Sequence, residues 1–206
     1  MNNRKFTYLI FTIIIATMLW YLTFVVKPMN FWLEMSLSIL LLGLLALYKR
    51  RDVISLGKPT MHHVIVGVLS AAGLYLVFYV GNIVSGYLFP FKDAQISLIY
   101  GNKAQGSLVL IGFLLFFIIG PGEEIYWRGY IQKTFSDKFG ENKGYVISAL
   151  LYAGVHVATG NFMIILAALV CGLFWGYVYK MEKSLIPVLI SHAIWDVTIF
   201  VLLPVK

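Results

Sequence analysis

The stretch SLVLIGFLLFFIIGPGEEIYWRG, residues 107–129, begins as a membrane helix and ends on two glutamates and an arginine. From Leu108 to Ile119 every residue except Gly112 is aliphatic or aromatic. A bilayer-spanning helix needs about 20 mostly apolar residues, and this run continues straight into Gly120-Pro121-Gly122 and the charges beyond. The rest of the 206-residue chain has the same character. It is 60% apolar and 12% charged, where a soluble domain carries roughly 45–50% and 25%. Its mean hydropathy is +0.85. Such a chain cannot cover a soluble globule with polar groups, so soluble-enzyme, nucleic-acid-binding and disordered readings fail for the chain as a whole.

Outward from that stretch, six further apolar runs predict helices over residues 6–26, 31–48, 62–89, 144–158, 162–179 and 185–203. The run over 107–121 makes seven, and the third and fourth regions leave room for an eighth element. The expected fold is an all-α, polytopic membrane helix bundle, a single integral membrane domain over residues 1–206. The first run is too long for a signal-peptide core and lacks a small-x-small cleavage site, which predicts a retained helix. The segment 132–143 reads as a polar connection.

With the N-terminus in the cytoplasm, seven spans put Arg4, Lys5, Lys49, Arg50, Arg51, Lys58, Lys133, Lys138, Lys143, Lys180 and Lys183 inside. Lys27, Lys92, Lys103 and Lys206 then fall outside. Basic side chains resist translocation, so this bias supports the orientation and accounts for the net charge of +7 without nucleic acid. The single cysteine, Cys171, lies inside an apolar run and reads as a buried spacer.

Ionisable groups in hydrocarbon cost several kcal/mol unless paired or hydrated, so they mark function. Glu34 lies one turn into the second helix and reads as an interfacial anchor; His62 and His63 read as interfacial at the start of the third. Glu123, Glu124, Arg128, His156, His192 and Asp196 remain. Residues four apart share a helix face, which pairs Glu124 with Arg128, Tyr152 with His156, and His192 with Asp196. Glu123 has no local partner, which leaves its carboxylate free to accept a proton as a general base. Small residues such as Gly172 and Gly176 suffice for packing membrane helices. Six polar groups on three helices therefore point to chemistry.

Several chemistries fit this set. Glu123 with the two histidines could hold a divalent cation such as zinc, although no His-Glu-x-x-His motif is present. Glu123 and His156 could instead deprotonate a water while His192 stabilises the oxyanion. Asp196 would then serve in one of two ways, donating as a neutral acid or accepting from His192 and orienting its ring. Proton-coupled transport is a third reading, for which no inverted repeat is visible.

The ordered motifs Glu-Glu-Ile-Tyr-Trp-Arg at 123–128, Tyr-x-x-x-His at 152–156 and His-x-x-x-Asp at 192–196 resemble the CAAX-processing and bacteriocin-immunity (CPBP/Abi) family of intramembrane glutamic endopeptidases, including the type II CAAX prenyl proteases. The resemblance covers a core of residues 107–203. It implies a peptidase whose Glu123 and His156 activate water, whose Glu124 and Arg128 support the site, and whose His192 and Asp196 form the oxyanion site. It implies no cofactor, and as partners the lipid bilayer and a membrane-associated peptide or protein, prenylated or bacteriocin-like. It suggests a bacterial-type plasma membrane as location. Tyr152 stands where the family more often has Phe, and Asp196 where prenyl-processing members have Asn. A non-catalytic immunity protein that binds a partner through a degenerate site is the alternative. The fourth, fifth and seventh helices should enclose a conical cavity, with the glutamates near the cytoplasmic end of the fourth. His156 would lie deeper, so the fifth helix should start earlier or the Pro121-Gly122 break should carry the glutamates inward.

Overall fold

The computed structural model describes residues 3–50, 52 and 58–205, with the backbone alone at residues 3–5. Arg51 and Lys206, and the side chains of Arg4 and Lys5, lie outside the described residues. The described residues form eight helices and no strand. In chain order they are α1 (Asn3–Tyr21, continued through Leu22–Val26), α2 (Phe31–Lys49), α3 (Met61–Leu88) and α4 (Lys92–Gly101). There follow α5 (Leu108–Phe139), α6 (Glu141–Gly154), α7 (Phe162–Glu182) and α8 (Ile186–Leu202). The chain is an all-α membrane bundle.

α1, α2, α3, α5 and α7 are long and apolar enough to cross a bilayer, while α8 is a shorter apolar helix. α6 has 14 residues, about 21 Å at 1.5 Å per residue and short of a hydrocarbon core. The seven expected spans are thus five long helices and two short ones. The polar segment around Lys92 and Asp93 is the short helix α4, the eighth element.

The fourth span departs most from expectation. Instead of ending at Pro121, α5 runs on to Phe139 and is 32 residues long in all. Pro121 lacks an N–H and should open the helical ladder. Here Leu115–Ile119 form a wide π-turn directly before it, with the Gly120 N–H returning to the Leu115 carbonyl, and a second wide segment spans Ile125–Gln132. Such turns absorb a register change without breaking the axis. The glutamates consequently sit mid-helix rather than at its cytoplasmic end. α6 starts at Glu141, before the expected Gly144, and ends at Gly154, so His156 follows the helix in the tight turn before Val157–Thr159. Gly160 takes φ +62° and Asn161 caps α7 through the Ile164 N–H, which places the turn where the sequence predicts it.

The interfacial residues resolve into specific contacts. Thr60 caps α3 by accepting from the His63 N–H, and the His63 ring accepts from the Thr60 N–H in return. His62 Nε2 lies 2.8 Å from Glu182 Oε2 on α7. Glu34 does not reach out to the interface as expected: it is 5% exposed within the bundle. α6 and α7 approach closely at the two glycines, where a Cβ on Gly172 would lie 3.1 Å from the Ala149 carbonyl oxygen and one on Gly176 would lie 2.9 Å from the Tyr145 ring.

Candidate active site

Mid-helix on α5, Glu123 and Glu124 point to different sides, because consecutive helical residues diverge by about 100°. Glu124 is fully buried, and its Oε1 accepts from Arg128 Nη1 at 2.8 Å. The same oxygen accepts from His192 Nδ1, on α8, at 2.7 Å. The i,i+4 pairs on α5 and α8 are therefore one network joined at Glu124. Arg128 is 1% exposed. Its Nη2 donates to the Cys171 and Gly172 carbonyls on α7, and its plane lies over the Tyr152 and Trp175 rings. A guanidinium with several donors and aromatic faces is well suited to such a dry site.

His192 is fixed from all sides. Its ring stacks on Trp175 at 3.7 Å between centroids, and Trp175 in turn donates to Ser191 Oγ. With Nδ1 committed to Glu124, Nε2 faces Asp196 Oδ2 at 3.5 Å, in ion-pair range but longer than a formed hydrogen bond. Asp196 therefore stands beside His192 without accepting a hydrogen bond from it, and the ring is oriented by Glu124 and Trp175.

Glu123 is 5% exposed. Its Oε2 accepts from the Tyr152 hydroxyl at 2.6 Å. His156, four residues beyond Tyr152, is held at both nitrogens: Nδ1 is 2.9 Å from the Tyr152 carbonyl oxygen, and Nε2 is 3.1 Å from Trp20 Nε1 on α1. A carbonyl can only accept and an indole N–H can only donate, so the ring is the neutral Nδ1–H tautomer. The sequence spacing that brings Tyr152 and His156 together is realised through a backbone contact, and the tyrosine hydroxyl goes to Glu123 instead.

Glu123, Tyr152, His156, His192 and Asp196 line one cavity of about 300 Å³, together with residues of α2, α3, α4 and α7. The expected three-helix cone is thus a larger, half-open chamber with mostly apolar walls. Cys171 is a free, buried thiol on its wall. Among the described residues no three or more His, Cys, Asp or Glu side chains are grouped to hold a metal ion.

The model of the type II CAAX prenyl endopeptidase Rce1-like family matches residues 105–198. Over that stretch, somewhat under half of the chain, the sequence is similar to that family. The match covers all six candidate residues and agrees with the resemblance carried by the three motifs, and it supports an integral membrane protease of the CAAX kind. No curated protein and no solved structure matches the chain.

Trp20 and Trp175 were not legible as site residues. Trp20 comes from α1, 136 residues before the histidine it holds, and no local spacing signals a contact over that distance. Trp175 follows Gly172 by one helical turn, and only the packed bundle shows that it stacks on His192.

Proposed function

We propose that the protein is an intramembrane endopeptidase that hydrolyses a peptide bond in a membrane-associated peptide or protein, with Glu123 as the base that activates water. The observation that carries this reading is the isolation of Glu123: it faces the chamber, held at one oxygen by a neutral phenol, while Arg128 and His192 are engaged by Glu124. A carboxylate held this way can take a proton and return it.

In the proposed reaction, Glu123 removes a proton from water as its oxygen attacks the scissile carbonyl carbon. The carbonyl π bond breaks to an oxyanion beside His192, whose ring is held at Nδ1 by Glu124 and, once protonated, donates from Nε2. The oxyanion then collapses, the C–N bond breaks, and Glu123 passes its proton to the departing amine. His156 shares the base role in the sequence-based reading. Because both nitrogens of His156 are engaged, Glu123 carries the proton transfers and His156 places Tyr152. Glu124 and Arg128 hold His192.

Incubating the purified protein with a panel of hydrophobic membrane peptides, read by mass spectrometry, tests the proposal. Discrete products with a new carboxyl and a new amino terminus are expected. Intact peptides that nevertheless co-purify with the protein would favour the non-catalytic binding alternative.

A further inference from the structure

The helix ends sort into two sets. At one end lie the start of α1, the end of α2, the start of α3, the end of α5, the start of α6, the end of α7 and the start of α8. Side chains tie this set together: the Tyr8 hydroxyl donates to the Leu45 carbonyl, Arg50 pairs with Asp137, Lys183 with Glu141, and His62 with Glu182. At the opposite end Trp32 Nε1 donates to the Asn102 carbonyl, Asn161 Nδ2 to the Gln95 carbonyl, and the Tyr100 hydroxyl to the Ile199 carbonyl.

Charge divides along the same line. Lys49, Arg50, Lys58, Lys133, Lys138, Lys143, Lys180 and Lys183 belong to the first end, and Lys27, Lys92 and Lys103 to the second. Eight against three, among the described residues outside the bundle interior, makes the first end the cytoplasmic one by the resistance of basic side chains to translocation.

The chamber belongs to the other end. From Glu123 and His192 at mid-bundle its walls run past Phe24 and Phe31, Asn82 and Ser85, and Ile99 and Tyr100. These residues lie at the end of α1, the start of α2, the end of α3 and on α4, the helix that folds back at that same end. We infer that the chamber opens to the non-cytoplasmic side of the membrane, and that it takes an apolar segment of a polypeptide presented from that side. The apolar walls select the segment, because burying aliphatic and aromatic surface there is favourable. The substrate part rests on the protease reading; the orientation stands without it.

Cysteine labelling tests the orientation in the full chain. Lys27→Cys and Ala104→Cys mark the chamber end, Lys58→Cys and Lys143→Cys the basic end, and all four positions are exposed. The unsubstituted protein, whose Cys171 is buried, is the unlabelled control. In intact cells a membrane-impermeant maleimide should label the first pair at least tenfold more than the second, with equal labelling after permeabilisation. The reverse pattern overturns the inference. The substrate part is tested with a water-soluble peptide carrying an apolar segment, added to sealed vesicles whose orientation the labelling has established. Cleavage is expected where the Lys27 end faces the peptide, and cleavage confined to the opposite orientation overturns it. Activity in detergent reads the protease itself: its absence there overturns the protease reading and the substrate part, while the labelling still decides the orientation.

Discussion

At the scale of residues, the site is a relay of short contacts that starts outside the family-matched segment. The Trp20 indole holds the His156 ring, His156 holds the Tyr152 carbonyl at the end of α6, and the Tyr152 hydroxyl holds Glu123. A hydrogen bond to a charged group is worth about 1.5–3 kcal/mol. If that bond positions the base, Tyr152→Phe should lower kcat by roughly ten- to a hundredfold. Phe preserves the ring that packs on Trp127 and Arg128, so the thermal melting temperature should barely move. Steady-state kinetics with a melting curve in the same detergent checks this, and unchanged kcat would reduce the hydroxyl to a packing ornament. The ionisable members of the site were legible in the sequence because hydrocarbon makes each one expensive. The indoles were not, because tryptophan is equally at home as an apolar filler.

At the scale of elements, two devices set the geometry. The first is the clamp of α5, α7 and α8 at Arg128 and Glu124. Removing one partner of a fully buried pair leaves an uncompensated charge, at a cost of about 3–5 kcal/mol. Arg128→Ala should therefore impair folding itself, and denaturant unfolding should show a loss of that order; a stability loss under about 1 kcal/mol would mean that water fills the gap and the clamp matters little. The second device is the close passage of α7 against α6. A Cβ on Gly172 would already approach the Ala149 backbone and the Tyr152 ring, so Gly172→Leu should push the helices apart, displace Tyr152 and abolish activity. A Gly172→Leu variant with ordinary activity would show that α6 is free to move. The Gly-xxx-Gly spacing and the helix-face pairs announced these contacts. What spacing could not announce is the continuation of α5 through Pro121, because a π-turn replaces the missing backbone bond without leaving a mark in the apolar pattern.

At the scale of the whole molecule, the bundle holds the candidate site mid-helix beside a half-open, mostly apolar chamber. Hydropathy made the all-α class and most helix positions legible, since each long run had to cross the bilayer. It could not separate the short α6 from a full span, because the apolar run continues past Gly154 into the turn that holds His156. The first half of the chain, outside the family match, supplies Trp20 and the α3–α4 walls, so the candidate site draws on helices beyond the matched segment. The central claim is that Glu123 activates the water. The direct measurement is peptide hydrolysis by purified Glu123→Gln protein beside the unsubstituted protein, with peptide binding followed in parallel. Gln keeps the size and can still accept from Tyr152, but it cannot carry the proton. The account predicts loss of cleavage by a factor of at least about 10², with binding retained. Cleavage at the unsubstituted rate would contradict it.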